Sequence, residues 1–254
     1  MKSNAFQLAT LRASLKPFRL YWFPRLKSTN DHAAALRKRG DLFAPAVVLT
    51  GHQLAGRGRG GNSWWSKPGV ITVTFAFPID DRLAPHQIPL IAGLAVRNAV
   101  VDVTGARGVQ LKWPNDLLFK GRKLAGLLCE RVHKVDLIGV GLNVNIDPRE
   151  SPAALRDHVA SLSTITGHPI DQTIMLIAMA KHLRLLLTRR DEHPFGVLLR
   201  EYDTHHALVG KRVTVAAIDG AITGKCEGLD SHGRLLLRDR STLHRVIAGE
   251  VRAH

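Results

Sequence analysis

Apolar positions change their spacing several times along the chain, and each change marks an element. Ala46 to Thr50 is a short run rich in Val and Leu, suited to a strand. Val70 to Phe77 reads V-I-T-V-T-F-A-F and places Ile71, Val73, Phe75 and Phe77 on one face. That period of two predicts a half-buried strand. Pro85 precedes a long helical stretch, Ile88 to Val103, which Gly105 stops. Val109 to Trp113 returns to strand character, and Lys120-Gly121 makes a turn. Leu124 to Glu130 and Leu137 to Val144 predict two more strands. After Asp147 the signals are helical. Ser151 reads as an N-cap with Pro152 at the first helical position, and Asp171 as the cap of an apolar helix running to about Arg190. Pro194 to Asp203 predicts another helix. Beyond His205 come four short runs, Arg212–Ala217, Ile222–Gly228, Arg234–Leu237 and Leu243–Ile247, separated by Asp219-Gly220 and Ser231-His232-Gly233. Four short strands with turns between them predict a small barrel.

Composition narrows the class. The 254 residues allow one large domain, or one plus a small satellite. With 45% hydrophobic and 22% charged residues the chain is globular, which excludes collagen, coiled coil and wholesale disorder. No apolar run approaches the ~20 residues of a membrane span. Two cysteines, Cys129 and Cys226, are too few for a disulfide framework or a zinc site, and a reducing compartment follows. The thirteen histidines are scattered without carboxylate or cysteine neighbours at ligand spacing, so no metal site is expected.

Charge adds more. Thirty-six Lys and Arg against 21 Asp and Glu leave a net +15, suited to an acidic partner, a phosphate-bearing substrate or nucleic acid. The excess is spread along the chain, which demotes a nucleic-acid arm. The barrel segment carries only +3 and has no aromatic residue after Tyr202, so it offers bases no stacking platform. Residues 1–20, basic and without acids, read as a basic lead-in, with an organellar transit peptide as the lesser alternative.

Three segments carry candidate chemistry. The first runs from Gly51 to Trp65 and holds Gly56-Arg57-Gly58-Arg59-Gly60-Gly61. Glycines 56, 58 and 61 match a dinucleotide fingerprint by letter, but the segment leads through Pro68-Gly69 into a strand and opens no helix. Interleaved Gly and Arg instead suit a lid over an anionic substrate, mobile in backbone and forked in charge. An RG-rich nucleic-acid turn is the alternative. The Trp64-Trp65 pair reads as loop anchoring. The second segment is Lys112-Trp113-Pro114-Asn115-Asp116 with Arg122-Lys123-Leu124-Ala125-Gly126. Asp116 and Lys123 flank a hairpin that can bring them together, and an ammonium placed there could neutralise a substrate carboxylate or developing phosphate charge. Asn115-Asp116 also fit simple turn formation. The third is Gly139-Val140-Gly141-Leu142-Asn143, where glycines inside an apolar strand point to close approach of another group.

In this order, together with Ser28-Thr29-Asn30 and Gln53, these segments resemble the biotin protein ligases of the holocarboxylase-synthetase type. The likeness covers roughly residues 22–254. It implies an α+β fold: a mixed-sheet catalytic domain of the biotin/lipoate ligase, class II synthetase-like type with helices, plus a small C-terminal SH3-like β-barrel. The division expected is a lead-in at 1–20, a biotin- and ATP-binding domain at 21–205 and the barrel at 206–254. The implied reaction forms biotinyl-5′-AMP from biotin and MgATP, then transfers biotin to a lysine of a biotin carboxyl carrier protein or domain, as in acetyl-CoA carboxylase.

Carried over by position, Ser28, Thr29, Asn30 and Gln53 line the biotin pocket, and Arg57, Gly58 and Arg59 close over biotin and the phosphates. Lys123 holds the biotin carboxylate, and Asp116 positions Lys123 or the incoming amine. Trp64, Lys112, Asn115 and Asn143 sit at the ATP or adenylate. ATP with Mg2+ and biotin are substrates, and no prosthetic group or resident metal is implied. The chain has no room for a DNA-binding domain, so a monofunctional, cytoplasmic form without DNA or membrane binding is expected, with a homodimer allowed. Two positions depart from the family pattern. Lys27 stands where many members have Asp, and Asn62 where many bacterial members have a third loop Arg, although a Gly-Gly-Asn form also occurs; the missing charge is expected to weaken retention of the adenylate. A lipoate ligase is the nearest rival, and the Gly-Arg loop and the Lys112–Asp116 segment favour biotin.

Overall fold

The computed structural model describes residues 6–189, 191–217 and 220–253. In chain order the elements are α1 (Leu8–Ser14), β1 (Arg19–Phe23), α2 (Thr29–Arg39), β2 (Ala46–Thr50), β3 (Gly56–Arg57), β4 (Ser63–Trp64), β5 (Val70–Pro78) and α3 (Ile88–Thr104). There follow β6 (Val109–Lys112), β7 (Asp116–Phe119), β8 (Arg122–Val132), β9 (Val135–Asn143), α4 (Leu162–Thr166), α5 (Gln172–Thr188) and α6 (Phe195–Thr204). The C-terminal strands are β10 (Arg212–Ala217), β11 (Gly220–Leu229), β12 (Leu235–Asp239), β13 (Thr242–Val246) and β14 (Glu250–Ala253).

Seven strands form a sheet in the order β1-β2-β5-β9-β8-β7-β6. β1 and β2 run parallel and the other neighbours antiparallel, so the sheet is mixed. One face carries the main core, where Ile71, Val73 and Phe75 meet Ile91, Leu94 and Ala95 of α3 and Met175, Met179 and Leu183 of α5. On the other face α2 sets Ala33 and Leu36 against Ala46, Val48, Ala76 and Leu137. Five antiparallel strands make the C-terminal sheet, in the order β13-β12-β11-β10-β14. The α+β expectation and the small barrel both hold.

Local signals place many of these elements. β2 covers Ala46–Thr50 as read, and α3 ends at Gly105, which takes the left-handed conformation at φ 69°. Asp171 caps α5, its Oδ1 accepting from Thr173 N at 2.7 Å and Ile174 N at 3.2 Å.

Four readings need correction. β5 is buried on both faces from Val70 to Phe77, because α2 covers the side that alternation left to solvent. Ser151-Pro152 opens a 3-10 turn, Ala153–His158, and no α-helix; Ser151 is buried and does not cap. The barrel has a fifth strand, β14, paired with β10. Part of the supposed lead-in belongs to the core: Leu11, Leu15 and Phe18 are buried with the main cluster, and β1 begins at Arg19. Residues 1–5 lie outside the described residues.

Candidate active site

Register builds the floor of the site. Thr74 of β5 pairs with Gly139 of β9, which pairs with Leu128 of β8; one step along, Thr72, Gly141 and Gly126 form the next row. These residues share one face of the sheet, and three of the six have no side chain. The bare backbone is used. A Cβ on Gly139 would run into the Asn30 carboxamide, and a Cβ on Gly141 into the Trp64 indole. The glycines read from sequence as points of close approach are the places where two candidate side chains lie on the sheet.

A cleft of about 490 Å³ opens above this floor, within the ~300–1,000 Å³ common for small-molecule sites. At one end stands the N-terminus of α2. Ser28 is its N-cap, the Oγ accepting from Asp31 N at 3.3 Å, so the chain enters the helix with Thr29 and Asn30 turned inward and buried. Gln53 Oε1 accepts from Thr29 N at 2.9 Å and from Thr29 Oγ1 at 3.3 Å. Thr74 Oγ1, fully buried, donates to Asn30 Oδ1 at 2.6 Å, and Asn30 Nδ2 donates to Leu128 O at 3.0 Å and Glu130 at 2.8 Å. The result is a small polar end with its amides and hydroxyls already oriented.

The Gly-Arg segment forms one wall as the short β3–β4 hairpin, Gly56 pairing with Trp64 and Arg57 with Ser63. Asn62 ties the turn together, its Nδ2 donating to Arg59 O at 2.9 Å. Arg59 reaches across to Asn115 Oδ1 at 3.2 Å. Burial lowers the Arg59 pKa from the ordinary guanidinium value, while the nearby Asp116 carboxylate pulls it back up. Arg57 points elsewhere, its Nη2 2.7 Å from Glu130 and its Nε 3.0 Å from Asp31. Those hydrogen bonds and charges, Glu130 first, raise its pKa.

The opposite wall is the β7–β8 hairpin. Asp116 pairs with Gly126, and the register slips between Leu117 and Leu118. Lys123 therefore sits off-register from Asp116 and runs back over Gly126, where a Cβ would lie 3.0 Å from its Cε. Its Nζ ends 2.7 Å from Asp116 Oδ1 and 5.8 Å from the Trp64 ring. Asn115 anchors the turn before β7, donating to Leu127 O at 2.7 Å. The barrel completes the rim with Gly249, Glu250 and Val251. Trp113 joins barrel and hairpin, its Nε1 donating to Gly233 O at 3.3 Å.

Ser28, Thr29, Asn30, Gln53, Arg57, Gly58, Arg59, Trp64, Lys112, Asn115, Asp116 and Lys123 thus all line one cleft. Asn143 does not. It is buried one step beyond the floor and donates to Lys123 O at 3.3 Å, holding the backbone that carries Lys123. Sequence reading missed Thr74, Glu130, Asp31 and the barrel's Glu250. For Thr74 and Glu130 the signal was strand alternation, since positions on strands beside Gly139 and Gly141 share that face; Asp31 on α2 and Glu250 on β14 carried no local signal.

Residues 22–147 match the Biotin/lipoate A/B protein ligase family, and residues 208–252 match the Biotin protein ligase C terminal domain. The chain is 30% identical over 235 residues to the biotin--[acetyl-CoA-carboxylase] ligase of Paracoccus denitrificans, covering 89% of this chain and 97% of that protein. Against the bifunctional ligase/repressor BirA of Bacillus subtilis it is 29% identical over 217 residues, 81% of this chain, and spans 65% of that protein's length. The biotin protein ligase from Aquifex aeolicus, solved in complex with biotin and ATP, superimposes with a TM-score of 0.84 at 27% identity, covering 93% of this chain and 99% of that one. With sheet, barrel and matched segments in agreement, this chain belongs to the biotin protein ligase family.

Proposed function

We propose that the protein activates biotin with MgATP as biotinyl-5′-AMP and transfers the biotinyl group to a lysine of a biotin carboxyl carrier protein or domain, such as that of acetyl-CoA carboxylase. The observation that carries this is the placement of Lys123, held 2.7 Å from Asp116 in the same cleft as Arg59 and the polar Thr29–Asn30–Gln53 end.

In the first step a biotin carboxylate oxygen attacks the α-phosphorus and pyrophosphate leaves. Two anions must meet, so positioning and charge neutralisation dominate the barrier. Lys123 and Arg59 supply the positive charge. Asp116 fixes the ammonium on the hairpin, and Asn115 holds the Arg59 fork. The preset donors and acceptors of Ser28, Thr29, Asn30 and Gln53 suit a small neutral polar head such as biotin's ureido ring. Trp64 lays its indole on the bare backbone of Gly141 and so closes the floor beside that end. In the second step the carrier lysine amine attacks the acyl carbon, the acyl–phosphate bond breaks and AMP leaves. The β3–β4 hairpin and the barrel rim shield the anhydride from water. The reading includes a functional division near residue 205 and a cytoplasmic site of action.

The test is mass spectrometry of the products formed with MgATP and either biotin or lipoate. Biotinyl-AMP from biotin alone is expected. Lipoyl-AMP would keep the chemistry and overturn the substrate. Neither product from folded protein would overturn the activity.

A further inference from the structure

The two loop arginines are used differently. Among the described residues the Arg59 guanidinium hydrogen-bonds a neutral amide, Asn115 Oδ1 at 3.2 Å, and lines the cleft. The Arg57 guanidinium is occupied by two carboxylates from different elements: Nη2 lies 2.7 Å from Glu130 Oε1 and 2.8 Å from Oε2 on β8, and Nε lies 3.0 Å from Asp31 Oδ1 on α2. Glu130 in turn accepts from Asn30 Nδ2 at 2.8 Å. Asp31 is also the residue whose backbone N–H donates to the Ser28 cap. One carboxylate thus joins the hairpin to the polar end of the cleft, and a second joins it to the helix that carries that end.

We propose that Glu130 and Asp31 are positioning residues that hold the Gly-Arg hairpin over the cleft through Arg57, leaving Arg59 to meet the phosphates. The consequence for catalysis rests on the ligase reading above; the hold itself does not. Because Glu130 touches Asn30 as well, the latch and the polar end share one hydrogen-bond network. Each pair is partly exposed and weak alone. Their effect lies in convergence on one rigid guanidinium fork, which a lysine cannot reproduce.

The experiment uses the full chain without ligand. Limited trypsin cleavage at Arg59–Gly60 reports how often the hairpin leaves the cleft. Glu130→Gln and Asp31→Asn are expected to speed it about three- to tenfold, with Arg57→Lys in between. The double variant Arg57→Ala with Glu130→Gln should be cleaved no faster than Arg57→Ala alone, because both changes remove the same contact. Asp31 is half exposed, so its variant keeps the test open if a Glu130 change disturbs folding. In the ligase assay Glu130→Gln and Asp31→Asn should raise the biotin KM and shorten adenylate retention, with kcat for transfer from bound adenylate unchanged. Wild-type cleavage rates in both single carboxylate variants, or additive effects in the double variant, would overturn the proposal. If no biotinyl-AMP forms in wild-type protein, the ligase reading fails while the cleavage result still decides the latch.

Discussion

Lys123 reaches Asp116 only because it crosses a residue without a side chain, Gly126. Its side chain is 39% exposed, so its removal opens no cavity. Lys123→Ala is therefore expected to lower adenylate formation by about 10²–10³-fold while shifting stability by no more than about 1 kcal/mol. ATP–pyrophosphate exchange and a urea unfolding curve check the two halves, and substantial residual exchange would remove Lys123 from the chemistry. Much of this scale was legible in advance. Asp116 and Lys123 flank a short hairpin, so local spacing alone brought them together. Arg57 was not legible: it was assigned to the substrate, yet its partner Glu130 lies 73 positions away and carries no motif. Asn143 sits on the strand as read, but its hydrogen bond to the Lys123 backbone depends on how β8 and β9 adjoin.

At the scale of elements, capping and close approach set the expectations. The Asp171 carboxylate satisfies two of the free N–H groups at the start of α5. Asp171→Ala should cost about 1 kcal/mol and lower Tm by about 2–4 °C for a chain of this size. α5 packs behind the sheet, so kcat should not change, and a loss of activity in a calorimetrically stable variant would contradict this separation. Gly141→Ala is the opposite case. Its methyl group meets the Trp64 indole, which must leave the floor of the cleft. Overpacking of this kind costs about 1–3 kcal/mol. With the wall displaced, adenylate formation should fall by about tenfold or more. Tryptophan fluorescence together with pyrophosphate exchange tests it, and unchanged emission with full activity would show that Trp64 is not held there. The elements that escaped sequence reading are the ones with mixed patterns. α2 begins with polar residues that are buried for the site, and β3–β4 is too short for any period.

For the whole molecule the net charge of +15 bears on encounter more than on fold. If the partner is an acidic carrier domain, long-range attraction sets the transfer rate, and salt screens it. Raising ionic strength from about 50 to 500 mM should slow carrier biotinylation roughly tenfold and leave adenylate formation within about twofold. Stopped-flow or single-turnover assays of the two half-reactions decide it; equal sensitivity would assign the charge to substrate binding. The barrel also has a mechanical part, since it supplies Glu250 to the rim and holds Trp113 behind the β7–β8 hairpin.

By itself the sequence determined what depends on neighbours in the chain: strand and helix periods, the caps at Gly105 and Asp171, the Asp116–Lys123 hairpin, the terminal barrel and the ordered motifs that mark the family. These follow from local sterics, and from burial that repeats every two or about 3.6 residues. Only the tertiary structure decided which strands adjoin, and hence that Thr74, Gly139 and Leu128 share a row, that Asn30 and Trp64 lie on bare backbone, and that Arg57 meets Asp31 and Glu130. Strand order and register are set by how a whole sheet buries both its faces, and no segment of the chain carries that information alone.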